Sequence, residues 1–262
     1  MVRRAAYIFI GTSGWMYKDW GKQFYPKKLP PQERLRYLAG VFNTVEVNNS
    51  FYRLPKPETF KKWRSETPDD FRFSVKLSRY ITHIRRLQNT EDSFGLFLEN
   101  AAQLKKKLGP ILIQMPPQSK PDFSRLEEFL KEASRETKGF RHALPHCRLA
   151  LEVRHRGWFA EPEFSRLVKL LKCHNVALVF AHSARHPYPE SEPITADFVY
   201  LRFHGPKEFA ASRYGGARLR SYAAKITAWV RQGRTVYAYF NNDVHGYALN
   251  DAFALKRRVR VV

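Results

Sequence analysis

Glu46, Glu152, His204 and Lys76 carry the side chains best suited to chemistry, and each falls at or near the end of a short apolar run. Two carboxylates on separate runs can have their pKa values driven apart by different cationic neighbours, so that one serves as acid and the other as base. His204 can relay a proton near neutral pH. A lysine desolvated among arginines, here Arg72, Arg154 and Arg202, acquires a lowered pKa suited to a Schiff base or a phosphate contact. Arg154 and Arg202 offer planar, bidentate recognition of carboxylate or phosphate. Thr12, Trp15, Asn48, His83, Gln114, His155, Asn241, Asn242 and Asp243 complete the set as candidate substrate-binding positions.

Two loops extend this set. GTSGWMYKDWGKQFYP interleaves Trp15, Tyr17, Trp20, Phe24 and Tyr25 with lysines, a mixture that suits stacking on bases or sugars beside phosphate contacts, and equally an aromatic plug over a barrel. SRYITHIRRLQ brings Arg79, His83, Arg85 and Arg86 close to Lys76 in sequence, as a phosphate clamp would require. Glu46, Glu152, His204 and Asp243 are weighed as ligands of a divalent ion, but lysine and arginine compete for the same carboxylates and no H-E-x-x-H spacing occurs. No metal or other cofactor is expected. Neither G-x-S-x-G nor a cysteine with a readable histidine partner is present.

The elements that must position these residues form a βα alternation. Strand-like runs lie near Tyr7 to Gly11, Thr44 to Asn48, Phe71 to Leu77, Ile111 to Met115, Arg148 to Val153, Ala177 to Ala181, Phe198 to His204 and Val236 to Asn241. Helical spacing predicts helices near Gln32 to Gly40, Glu58 to Glu66, Thr90 to Leu108, Phe123 to Thr137, Glu161 to Cys173, Arg218 to Gln232 and after Gly246. Prolines in SARHPYPESEPITA forbid a regular long helix in the sixth crossover. Eight βα units, no linker and no G-x-G-x-x-G predict a single (β/α)8 TIM-type barrel domain over residues 1–262. Within the runs Val45 and Val47 alternate with Glu46 and Asn48, Leu151 and Val153 with Glu152 and Arg154, and Leu201 and Phe203 with Arg202 and His204. The polar set therefore faces the barrel interior. For Arg72, Tyr200, Tyr237 and Tyr239, deeper in the barrel, a structural network is the favoured reading. Positions at the C-terminal strand ends are favoured for function.

Lysine and arginine number 46 against 24 acidic residues, a formal charge of +22, which makes polyanions the first suspected partners: nucleic acid or another phosphate-bearing anion. Apolar stretches are too short for a membrane span, and the run after Arg3 and Arg4 reads as a first strand rather than a leader, so a cytoplasmic protein is expected. Cys147 and Cys173 read as buried thiols.

GTSGWMYKDWGKQFYP, FNTVEVNNSFYRLP, FRFSVKLSRYITHIRRL, GPILIQMPP, LALEVRHRGW, VYLRFHG and VYAYFNNDVHGYALNDA resemble, in order and over nearly the whole chain, the motifs of the YecE-like family, domain of unknown function 72. The resemblance implies a TIM-type barrel and a soluble, intracellular microbial protein, without an established reaction. It also implies a likeness to the superfamily of xylose isomerases and an abasic-site endonuclease, from which a DNA-related role has been suggested. The strand ends here lack the abundant His, Asp and Glu ligands of a trinuclear zinc nuclease. The leading expectation is acid/base hydrolysis of a phosphate-bearing substrate, foremost nucleic acid, by Glu46, Glu152 and His204, with Arg154, Arg202 and Lys76 holding phosphate. The alternatives are a non-catalytic nucleic-acid-binding protein and a small-molecule lyase or isomerase using Lys76.

Overall fold

Runs rich in β-branched and aromatic residues make eight parallel strands that pair in sequence order, and the eighth returns to the first to close a barrel. They are β1 (Ile8–Thr12), β2 (Thr44–Val47), β3 (Arg72–Lys76), β4 (Leu108–Gln114), β5 (Arg148–Glu152), β6 (Ala177–His182), β7 (Phe198–Phe203) and β8 (Thr235–Phe240). The computed structural model describes residues 6–140, 142–189 and 191–259; Arg3, Arg4 and Arg260 lie outside the described residues. Among the described residues no helix is long and apolar enough to cross a membrane.

The outer helices follow from amphipathic spacing. Phe123, Leu126, Leu130 and Ala133 recur at three- and four-residue intervals and are buried on one face of the helix Phe123–Gly139. Its first turn is fixed by the Asp122 carboxylate, which accepts the Arg125 backbone N–H at 3.1 Å. No helix occupies the described part of the crossover from β6 to β7, as its prolines predict.

Several elements depart from expectation. The helix expected to reach Leu108 ends at Ala101, and a tighter turn, Ala102–Lys107, carries Lys105 at φ 52° before β4 starts at Leu108. Lys107 is buried there, donating to the carbonyls of Arg64 at 2.7 Å and Thr67 at 2.6 Å, and this holds the chain in a path that helix propensity does not encode. Short helices, Trp20–Gln23 and Asn49–Tyr52, and a wide turn, Tyr80–Ile84, also interrupt segments read as loops. β1 has room beside β2 only because Gly11 lacks a side chain: a Cβ there would lie 2.2 Å from the Thr44 carbonyl oxygen.

Interior side chains stack in levels. At the N-terminal end Phe9 lies flat on Tyr237, ring centroids 4.9 Å apart, with the Arg72 guanidinium over Phe9 and 3.0 Å from His146 Nε2. Arg72 and Lys76 thus sit at opposite ends of β3, so the cations beside Lys76 are Arg202 and Arg154, without Arg72. Above this, Tyr239 bonds Thr44 at 2.7 Å and Tyr200 bonds Ser74 at 2.6 Å. The charged level comes next, toward the C-terminal face.

Candidate functional site

The floor of the C-terminal face is a clasp of three charged residues from three strands. Arg202 of β7 donates through Nη2 and Nε to both oxygens of Glu46 on β2, at 2.8 and 3.0 Å, and through Nη1 to Glu152 Oε2 on β5 at 2.6 Å. Glu46 also accepts from Ser13 Oγ and Tyr200 OH, each at 2.7 Å. Four donors therefore saturate a carboxylate that is 0% exposed. Arg154 Nε binds the remaining Glu152 oxygen at 2.5 Å. Burial opposes ionisation of Glu152, but Arg154 and Arg202 outweigh it and hold the carboxyl well below its ordinary range. Burial likewise opposes the charge on Arg202, and the two glutamates keep it.

Over this floor stands a second group with no such saturation. Lys76 Nζ donates to Gln114 Oε1 at 2.7 Å and lies 4.0 Å from the centroid of the Phe51 ring. Burial, reinforced by Arg202, lowers its pKa to about 7. His204 is 1% exposed, accepts at Nδ1 from the Asn241 amide at 3.2 Å, and leaves Nε2 without a partner. In that arrangement Nε2 carries the proton. Burial and then Arg202 hold the ring neutral, far below its ordinary pKa. His83 bonds Thr82 at 2.8 Å and stands edge-on to Phe51, its pKa lowered to about 4 by burial and by Lys76. Asn48, between β2 and the helix Asn49–Tyr52, has a buried Oδ1 without a partner.

The structure thus brings together Glu46, Glu152, Arg202, Lys76, Gln114, Arg154, His204, Asn241 and His83. Other candidates point elsewhere. Trp15 packs edge-on against Trp63, ring centroids 5.2 Å apart, with only 9% of its surface exposed, so it serves the core. Thr12 bonds the Gly14 carbonyl at 2.9 Å within its own turn. Asn242 ties Ser212 O and Asp251 at 2.9 and 2.8 Å. Asp243 accepts from the Trp20 indole at 2.8 Å, with its pKa pushed up to about 7 by burial. His155 accepts the Gly157 N–H at 3.0 Å and caps the turn Arg156–Phe159. Among the described residues no three His, Cys, Asp or Glu side chains are grouped to hold a metal ion, and both barrel glutamates face guanidinium groups.

Sequence reasoning missed Phe51, His186 and Phe209. Phe209 stacks on His204 at 5.4 Å and meets His186 edge-on at 5.6 Å, covering the imidazole from the loop after β7. Gly205 makes that loop possible: its φ is +102°, and a Cβ would lie 2.3 Å from the Glu208 carbonyl. The glycine after VYLRFH was the available signal.

The chain is similar along most of its length to proteins from several bacteria. It is 27% identical to UPF0759 protein YecE of Escherichia coli K12, covering 89% of this chain and 86% of that one, and 29% identical to UPF0759 protein YunF of Bacillus subtilis, covering 93% and 92%. Among solved structures, a DUF72 family protein from Thermotoga maritima superposes with a TM-score of 0.77 at 26% identity, covering 96% of this chain and 98% of the other. One from Enterococcus faecalis reaches 0.77 at 20% identity, with 97% and 96% covered. The model for the protein family of unknown function DUF72 matches residues 9–262, and the chain belongs to that family.

Proposed function

We propose that this is a barrel enzyme whose C-terminal face takes a small, anion-bearing carbonyl compound, phosphate being the favoured anion, with Lys76 as the reacting amine. The observation that carries this reading is the contrast between Lys76 and the glutamates. Glu46 and Glu152 are consumed by Arg202 and Arg154, which suits a structural brace better than proton transfer. Lys76 is part-exposed, has no carboxylate within ion-pair distance among the described residues, and holds a substantial free-amine fraction at neutral pH. Attack of that amine on a carbonyl yields a carbinolamine, and loss of water gives an imine. Arg154, whose charge bears on Lys76, is suited to contact the anion. Borohydride reduction in the presence of phosphorylated aldehydes and ketones, followed by peptide mass mapping, is expected to fix the carbon skeleton on Lys76. No adduct from a broad panel, or adducts spread over surface lysines and retained in Lys76→Met, would sink the reading.

A second reading rests on the rim. Tyr52 is 80% exposed and Tyr80 46% exposed, on the segments after β2 and β3, beside exposed Arg53, Arg79 and Arg86. Aromatic faces among cations suit a nucleic-acid strand, with or without catalysis below it. Binding of labelled single-stranded, duplex and abasic DNA and of RNA, across a salt series with and without chelator, is expected to show one preferred form and a steep salt dependence. Weak, form-indifferent binding at physiological salt would remove this reading and leave the small-anion one standing.

A further inference from the structure

A second concavity lies outside the barrel wall, where the loops after β3, β4 and β5 meet the helix Phe123–Gly139. Its lining includes none of Lys76, Arg154 or His204. The cleft encloses about 390 Å³, within the range of small-molecule sites, and its walls are apolar: Leu87, Met115, Leu126, Leu151, Val153 and Trp158. Leu151 in β5 and Val153 just past its end face the helices, so the pocket is a gap between sheet and outer layer rather than an extension of the barrel mouth.

Polar groups occur at its rim and at one point within. Arg86 and Lys120 are exposed at the rim, and neither has a carboxylate within ion-pair distance among the described residues. The acid at the same rim, Asp122, is already engaged: it accepts the Arg125 backbone N–H at 3.1 Å and lies 3.4 Å from Arg125 Nε. Within the cleft Ser119 is only 8% exposed, and its Oγ is buried without a hydrogen-bond partner. The Trp158 indole donates to the Ser119 carbonyl at 2.9 Å and so fixes that residue against the wall. A buried hydroxyl left unpaired is unfavourable unless something supplies its partner.

The backbone beside the cleft is strained in a way that serves the same arrangement. Arg86 and Leu87 are both left-handed, at φ 49° and 68°, a conformation that L-residues with side chains rarely adopt. The Leu87 N–H is tied to the Ile81 carbonyl at 2.9 Å. Leu87 is thereby buried in the wall while Arg86 stays in solvent at the mouth. Strain of this kind persists where the surroundings over-determine it, and it is concentrated at ligand clamps and active sites.

We propose that this cleft binds a small organic anion with an apolar, ring-sized body, the body against Leu126, Val153 and Trp158 and the anion toward Arg86 and Lys120. The site is independent of the chemistry assigned to Lys76.

Calorimetric titration of the full chain with naphthoate, naphthylmethanol and naphthylmethylamine separates body from charge. Naphthoate is expected to bind at least about tenfold more tightly than the amine, a charge-assisted contact being worth that much. Arg86→Glu combined with Lys120→Glu, two exposed positions, is expected to reverse that order, and Val153→Phe to weaken all three probes by filling the space. Lys76→Met is expected to leave naphthoate binding unchanged. Absence of naphthoate binding, equal binding of acid and amine, indifference to the charge reversal, or loss of binding in Lys76→Met would each overturn the proposal.

Discussion

Lys76 Nζ is held between a ring face, 4.0 Å from the Phe51 centroid, and an amide oxygen, 2.7 Å away on Gln114, rather than by a carboxylate. Its nearest full charges are those of the clasp below it, where cation and anion already compensate each other. Burial strips water from an ammonium that has no carboxylate of its own, and Arg202 adds repulsion; together they lower its pKa to about 7.

The pH dependence of stability follows with a definite sign. Folded Lys76 binds its proton more weakly than the unfolded chain does, so unfolding takes up a proton between about pH 7 and the ordinary lysine value of 10.5. The residue therefore destabilises the fold at neutral pH and below, and the penalty fades as pH rises through that window. Lys76→Met is expected to be more stable than the parent in urea denaturation at pH 7, with the gap closing toward pH 10.5. A gap that does not change with pH would show that Lys76 titrates normally.

Glu152→Gln removes the anion between Arg154 and Arg202, both largely buried. Stranding buried guanidinium charge is expected to cost about 3–5 kcal/mol at neutral pH, measured by urea denaturation. The native carboxyl titrates well below its ordinary value, so its stabilisation is complete above that value and is lost as pH falls through the native one. The difference between variant and parent should accordingly shrink in acid.

His204 is expected to stay neutral through the ordinary histidine titration near pH 6.5, with the proton on Nε2, in imidazole nitrogen NMR spectra. Gly205→Ala cannot hold the loop that stacks Phe209 on this ring, because its Cβ would meet the Glu208 carbonyl. In that variant the imidazole should gain solvent and its pKa should rise. An unchanged His204 spectrum would mean that Phe209 is not its cover.

The two cysteines differ in exposure, contrary to the expectation of two buried thiols. Cys147 is buried, which pushes its pKa up to about 12, whereas Cys173 is exposed near the end of the helix Glu163–His174. An aromatic disulfide reagent should modify one thiol rapidly and the second only on unfolding; Cys173→Ser should abolish the fast phase.

The barrel and the polar lining of its interior were legible because both rest on a short-range period. Val45, Glu46 and Val47 show which way each side chain faces, and so do Leu201, Arg202 and Phe203. The prolines of the sixth crossover were equally plain. What the period does not contain is who meets whom across the lumen. That Arg202 would be consumed by Glu46 and Glu152, leaving Lys76 without an anion, depends on strands far apart in sequence. The direction of Trp15 depends on Gly14 at φ +106°, a turn that sends the indole to Trp63 instead of the mouth. His186 and Phe209 lie on irregular loops with no repeat to reveal them. The early end of the helix at Ala101 was hidden because the lysines that follow are good helix formers.

The clasp also orders events in the life of the chain. Its two anions come from β2 and β5, but the guanidinium that joins them lies on β7, so a ribosome releases both glutamates well before their shared counter-ion. A nascent barrel of six strands has Arg154 for Glu152 and nothing equivalent for Glu46, and it is expected to keep that end wet and unsealed. Arg202 then supplies the shared counter-ion and ties β2 and β5 to β7, one strand before β8 pairs with β1 and closes the barrel.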